Sequence, residues 1–274
     1  MNEQALYVYA IVPARAAEQP GTGIDDREVE AVRGASAVAA LVHRQDTVPY
    51  EGPDQDVRRW VLEHSDVIDR AWQRAGTALP VSFNVIVGPR EQGSADDALR
   101  EWLDQNAQTI QRRLEELDGH VELRIEIAVD TEVSADDPEV AQVAAEMATK
   151  PEGVQRLYRK KLDTLRRDVT DRIADDLYPD VRRRILGHAV DVVENRRSRS
   201  GEGTVPVLNI AVLVADSQVE PLGVELAEIR DSRPGIEVRF LGPWPPYSFA
   251  DLPTMAGAQE PRGEEPSKEA PTEA

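Results

Sequence analysis

Histidines, paired acids and one glycine-rich turn are the residues here whose types could do chemistry. The histidines are His43, His64, His120 and His188. A metal pair or an acid–base pair needs partners at motif spacing, as in H-E-x-x-H, and none of the four is so placed. His64 falls on the apolar face of a helical pattern, where a satisfied core or boundary histidine is expected. His188 stands one turn from Asp191, a spacing that could move protons but that surface helices show often. The acidic pairs at 25–26, 96–97, 136–137 and 175–176 suggest calcium, yet none fits an EF-hand loop. Gly21-Thr-Gly23 lacks the third glycine of a dinucleotide fingerprint, and loop flexibility accounts for it. Neither G-x-S-x-G nor a P-loop occurs. No catalytic, cofactor-binding or metal-ligating residue is assigned, and no cofactor is expected.

The elements around these residues follow from periodicity. Residues 6–12 are apolar on both faces, as a central strand requires, and Pro13 ends it. Residues 37–42 read as a second strand. From Asp56, the apolar positions Trp60, Val61, His64, Val67, Ile68 and Ala71 have helical spacing, with Gly76 as stop. Residues 79–87 read as a third strand. Ser94 and Asp97 form a capping box for the next helix, which Gly119 ends. Val121, Leu123, Ile125, Ile127 and Val129 alternate with Glu122, Arg124 and Glu126, a half-buried strand with its charges outward. Ser134-Ala-Asp-Asp137 repeats the helix-start signal before Pro138. The stripe Val154, Leu157, Tyr158, Leu162, Leu165, Val169, Ile173 and Leu177 makes the longest helix, broken near Pro179 and continued to about Asn195. A strand over 205–215, a helix over 222–229 and a strand over 236–241 follow.

This order predicts an α+β fold. An N-terminal α+β domain covers 1–119. A C-terminal ferredoxin-like domain covers 120–251, its first crossover grown into a helical arm over about 153–195. Residues 252–274, rich in Pro, Glu, Ala and Gly, read as a disordered acidic tail.

Charge narrows the partners. The chain has 274 residues, with 51 acidic side chains against 32 basic ones, a net charge of −19. That balance argues against nucleic acid and against an anionic lipid surface. Cysteine is absent, which removes thiol chemistry and disulfides. No stretch reaches about 18 apolar residues, and no signal peptide is evident at the start, so a soluble, cytoplasmic protein is expected. Only four of the basic residues are lysines, as suits a surface meant for concentrated salt. Residues 154–199 carry 13 basic and eight acidic side chains. Arg156, Arg159, Lys160, Arg166 and Arg167 on this arm are candidate contacts for an acidic partner. The alternative is an arm laced by its own i,i+4 pairs, such as Asp163 with Arg167.

The last strand runs into Gly242-Pro243-Trp244-Pro245-Pro246-Tyr247-Ser248-Phe249. Three prolines stiffen this octet, and three aromatics are costly to leave wet. It reads as a strap that folds back and buries Trp244, Tyr247 and Phe249, or alternatively as a segment that displays them to a partner.

The octet resembles the gas vesicle protein family GvpF/GvpL. So do, in order, Leu6-Tyr-Val-Tyr-Ala-Ile-Val12, Tyr50-Glu-Gly-Pro53, the helix carrying His64, Leu79-Pro-Val-Ser-Phe83, Leu117-Asp-Gly-His-Val-Glu122 and Leu208-Asn-Ile-Ala-Val-Leu-Val214. One departure is Asn84-Val85, where the family pattern continues from its Phe with Gly-Thr. The acidic tail and composition look most like the haloarchaeal GvpL type. The resemblance implies a two-domain, non-enzymatic accessory protein and minor component of gas vesicles. It implies a role in nucleating or assembling the shell through contacts with the shell protein GvpA and other Gvp accessory proteins. An enzyme on a ferredoxin-like scaffold, or a purely structural shell component, are the competing readings.

The composition makes folding salt-dependent. Circular dichroism is expected to lose structure as salt falls from the molar range to about 0.1 M, where the Debye length grows from about 3 Å to about 10 Å. A native signal and unchanged melting temperature in dilute buffer would refute this.

Overall fold

A computed structural model describes residues 4–35, 37–90, 93–194 and 203–255. The chain divides into two units: residues 4–118 with 250–255, and Gly119–Phe249. The disordered tail expected over 252–274 lies mostly outside the described residues. Its first part is packed, since Met255 is buried and Trp102 Nε1 donates to the Thr254 carbonyl at 3.2 Å.

The first unit is an antiparallel sheet with two long helices. Its strands are β1 (Ala5–Pro13), β2 (Glu30–Arg33), β3 (Val38–Gln45), β4 (Leu79–Pro80) and β5 (Ile86–Val87). The order is β2-β3-β1-β4, with β5 also pairing β1. The unpredicted β2 is too short to show a period. Strand β1 is buried on both faces. A bulge between Val8 and Ala10 shifts its phase, so that Ala10 and Val12 join Tyr7 and Tyr9 in one core. Helix α1 (Asp54–Ala75) supplies Val67, Ile68 and Ala71 to that core. Helix α2 (Ala95–Leu117) packs on β1, β2 and β3. Its start is the expected capping box: Ser94 Oγ accepts from Asp97 N at 3.2 Å, and Asp97 Oδ2 accepts from Ser94 N at 3.1 Å.

The single strand expected over 79–87 is instead two short strands. Asn84, at φ 69°, breaks it. Asparagine is among the few non-glycine residues that visit this left-handed region. Its side chain accepts from Tyr50 N at 2.9 Å and donates to Tyr50 O at 3.1 Å. The residue standing in for glycine thus keeps the turn and ties down the loop before α1.

The second unit holds β6 (His120–Asp130), α3 (Pro138–Ala148), α4 (Glu152–Leu186), β7 (Asp191–Glu194), β8 (Thr204–Ala215), α5 (Val219–Asp231) and β9 (Ile236–Trp244). The strand order β7-β8-β6-β9 is antiparallel throughout. With α4 and α5 as crossovers this is the ferredoxin-like β-α-β-β-α-β arrangement. Asp137 caps α3 and Pro138 opens its first turn, as expected. The helical arm differs from expectation twice. Helix α4 passes through Pro179 unbroken, because Val181 and Ile185 beyond it stay buried; that burial offsets the proline's lost hydrogen bond, about 3 kcal/mol. It then ends at Leu186, and 191–194 is an edge strand, since Val192 and Val193 pair with Val212 and Ala211 of β8.

The core of the first unit contains polar groups that must be satisfied. Tyr7 Oη lies 2.9 Å from His64 Nδ1, and His64 Nε2 lies 3.0 Å from the Val81 carbonyl. Only a donor can face a carbonyl, so His64 carries its proton on Nε2 and accepts from Tyr7. Tyr7 in turn accepts from Asn84 N at 3.2 Å. The second pair repeats this scheme. Tyr9 Oη, accepting from Ile24 N at 2.9 Å, donates to His43 Nδ1 at 2.7 Å. His43 Nε2 faces Gln45 Oε1 and Tyr50 Oη, both at 3.2 Å. Gly23 is required here, since a Cβ would come within 2.1 Å of Tyr9 Oη; close approach, not flexibility, explains that glycine. Tyr7 stacks on His43 with centroids 4.9 Å apart. Burial pushes the Tyr7 and Tyr9 phenols up.

Burial also pushes His43 and His64 down to about 4, from an ordinary 6.5. The unfolded chain therefore takes up protons between about pH 6.5 and 4 that the folded unit refuses. Stability is complete above this window and falls as pH drops through it, by on the order of 3 kcal/mol per histidine. Denaturation in molar salt is expected to show a steep loss between pH 6.5 and 4.5. Ring ¹⁵N shifts should report neutral, Nε2-protonated rings at pH 5.5. Charged rings in the folded protein at that pH would refute the scheme.

Candidate functional site

Of the residues singled out for chemistry, His43 and His64 come together, on the same two tyrosines, and the others lie apart. His43 and His64 are consumed by the core network. His188 turns away from Asp191: its Nδ1 lies 3.1 Å from Gln218 Oε1 and its Nε2 3.8 Å from Glu225. Asp25 accepts from Arg59 at 2.7 Å and from Trp60 Nε1 at 3.1 Å. Among the described residues no group of three His, Asp or Glu side chains could hold a metal ion. A shallow groove of about 710 Å³ is lined by Tyr178, Pro179, Arg182, Arg183, Leu186, Gly187 and Glu194. Tyr178 Oη and Arg182 Nε both donate to Glu194 Oε1 there, at 3.2 and 3.1 Å.

The octet is held by Glu122, which keeps the outward face of β6 between the core residues Val121 and Leu123 and is covered there by the octet. Glu122 alternates with apolar residues and was expected outward, yet it is only 7% exposed. Its carboxylate accepts from Ser248 N at 2.6 Å and from Ser248 Oγ at 2.7 Å. Burial pushes this carboxyl up, and the Ser248 hydrogen bonds pull it back. The chain reaches this position through Gly242, at φ 117°, where a Cβ would meet the Glu122 carbonyl at 2.8 Å. Only glycine fits there. Pro243 follows on the edge strand β9, where a missing N–H costs no ladder bond.

The three aromatics separate as a result. Phe249 is buried at 1% exposure, while Trp244 and Tyr247 are each 39% exposed. The strap reading therefore holds for Phe249 and is corrected for the other two. Phe240 and Leu241, at 38% and 47%, add to the open apolar surface. Strand β9 lies at the end of the sheet order, so among the described residues one side of its backbone has no partner strand.

The basic arm is divided along its length. Near its C-terminal end Arg184 pairs with Glu225 and Glu228 of α5, and Arg182 with Glu194. Farther back, Arg166 reaches Glu132 at 3.4 Å. Arg156, Arg159, Lys160 and Arg167 are exposed. The inner stripe is used by α3: Leu162 and Val169 pack with Val140 and Val143.

Residues 5–251 match the family model described as gas vesicle synthesis protein GvpL/GvpF. The chain belongs to the GvpL/GvpF family. It is 32% identical over 263 residues to gas vesicle protein L2 of Halobacterium salinarum, covering 89% of this chain and 90% of that one. It is 30% identical over 248 residues to gas vesicle protein L of Haloferax mediterranei, covering 84% and 72%. The crystal structure of GvpF from Anabaena sp. PCC7120 superposes with a TM-score of 0.65 at 17% identity, over 92% of this chain and 98% of that one. GvpF from Microcystis aeruginosa gives 0.60 over 90% and 99%. The α+β fold is thus a family fold, and the similar proteins from salt-loving archaea are L proteins. No helix among the described residues is long and apolar enough to cross a membrane.

The octet geometry sets an order of mutational costs. Phe249→Ala should cost about 3–5 kcal/mol, and Glu122→Gln about 1.5–3 kcal/mol through its charged hydrogen bonds. Trp244→Ala should cost least. Denaturant titration in molar salt ranks the three, and a Trp244 effect larger than that of Phe249 would contradict the structure.

Proposed function

We propose that this chain is a non-enzymatic accessory protein of gas vesicle formation. It binds the shell protein GvpA along the open β9 edge, contacts other Gvp accessory proteins, and works in the cytoplasm and as a minor component of the vesicle. The family supports the gas-vesicle setting. The observation that carries the rest is the exposure of Phe240, Leu241, Trp244 and Tyr247 on and just beyond one edge strand. A free strand edge offers main-chain groups to an extended partner segment. Apolar side chains beside it mark an association site. The acidic remainder of the chain keeps such a patch soluble, and could shield an apolar shell subunit until it is added to a growing shell.

The test is a double substitution, Leu241→Glu with Trp244→Ser. Both positions are exposed, so the melting temperature in molar salt should change little. Co-purification with tagged GvpA should fall about tenfold, as loss of central anchors does at other interfaces. Undiminished retention of GvpA would refute this docking surface.

A further inference from the structure

The outer face of α4 is a second surface, separate in chemistry from the β9 edge. Residues 154–167 carry six basic side chains and one acidic one, a local charge of +5 in a chain of −19. Arg156, Arg159, Lys160, Lys161 and Arg167 are all exposed. Among the described residues none of these five forms an ion pair, although carboxylates are abundant and Arg166, Arg182 and Arg184 of the same helix have each found one. Asp163 lies four residues from both Arg159 and Arg167, and closes on neither. A face laced by its own pairs would have closed there. In the midst of these cations stands Leu157, 71% exposed, with Val154, 41% exposed, one turn before it.

We propose that this face docks an acidic amphipathic helix of a partner protein. Its carboxylates meet Arg156, Lys160 and Arg167, which lie within about 40° of one another around the helix, with Arg159 and Lys161 at the margins, and an apolar side chain of the partner covers Leu157. The occupant is a helix because α4 has no free backbone groups for a strand to join. Fourteen residues of helix also present a straight ridge about 20 Å long of the kind that packs into another helix's groove. Nucleic acid fits less well, since the rest of this chain carries the opposite sign and repels a polyphosphate. Exposed ion pairs are individually weak, so the contact over Leu157 is needed as well as the charges.

The probe is a fluorescent helical peptide of roughly 20 residues patterned with Glu on three faces and Leu on the fourth. Binding to the full chain is read by anisotropy in about 1 M KCl, where the Debye length is about 3 Å and only direct contacts survive. The controls are the same peptide with Ser for Leu, and single-stranded DNA of equal charge. The Leu peptide should bind the native chain. Affinity should fall at least about tenfold for the variant Arg156→Glu, Arg159→Glu, Lys160→Glu, Arg167→Glu, and several-fold for Leu157→Ser, as for close charge pairs and anchors elsewhere. Both variants should melt as the native protein does, since neither touches the α3 contact. The Ser peptide should bind about tenfold more weakly. The Leu241→Glu, Trp244→Ser variant should bind the peptide normally, which separates this surface from the GvpA site. Absence of peptide binding, an unaffected charge-reversal variant, or DNA binding as tight as the peptide would each overturn the proposal.

Discussion

A polar group taken out of water must be given a partner, and both units of this protein are organised by that requirement. In the first unit it is met by two tyrosine–histidine pairs. Each imidazole is fixed between a phenol and an acceptor, Val81 O for His64 and Gln45 Oε1 for His43. The phenols are then closed by backbone N–H groups of Ile24 and Asn84. Those donors belong to loops. The core thereby dictates the path of the 21–26 turn and of the 82–85 break, and the left-handed Asn84 and the bare Gly23 follow from it.

The second unit meets the same requirement with a carboxylate. Glu122 lies under the octet with Ser248 as its partner, and so the chain after β9 must fold back far enough to deliver Ser248. Phe249 goes under with it. Trp244 and Tyr247 are left where the backbone happens to pass, partly in water. Surface chemistry and core chemistry are therefore set by one contact, and the display of aromatics follows from burial of an acid.

Much of this was legible in the sequence where a residue's role is local. The capping box at Ser94 and Asp97, the apolar β1 and the amphipathic faces of α1 and α2 depend on neighbours a few positions away. What could not be read depends on distant partners. Glu122 has the alternation of an outward residue, and only the segment carrying Ser248, 126 positions later, covers it. Strand β7 follows a long helix and keeps a helical count of valines, and only β8 makes it a strand. Pro179 looks like a break until the burial of Val181 and Ile185 on its far side is known. The departure from the family pattern at Asn84 was visible, but how it is accommodated was not, because a left-handed φ with hydrogen bonds to Tyr50 is a property of the fold. For the surfaces, the octet and the basic arm were both evident in composition. Which of their side chains stay exposed was decided by packing and pairing.

The first unit is not finished when its own helices have been made. Residues 250–255 return to it after the whole of the second unit has been laid down, closing on α2 through Trp102 with Thr254 and Arg113 with Asp251. The second unit is thus an insertion, with both of its ends in the first. On the ribosome, α2 waits for a clasp that emerges more than 130 residues later. A chain halted before residue 250 lacks the contacts that Asp251 and Thr254 make with α2, so the N-terminal unit is completed only after the whole second unit has been made.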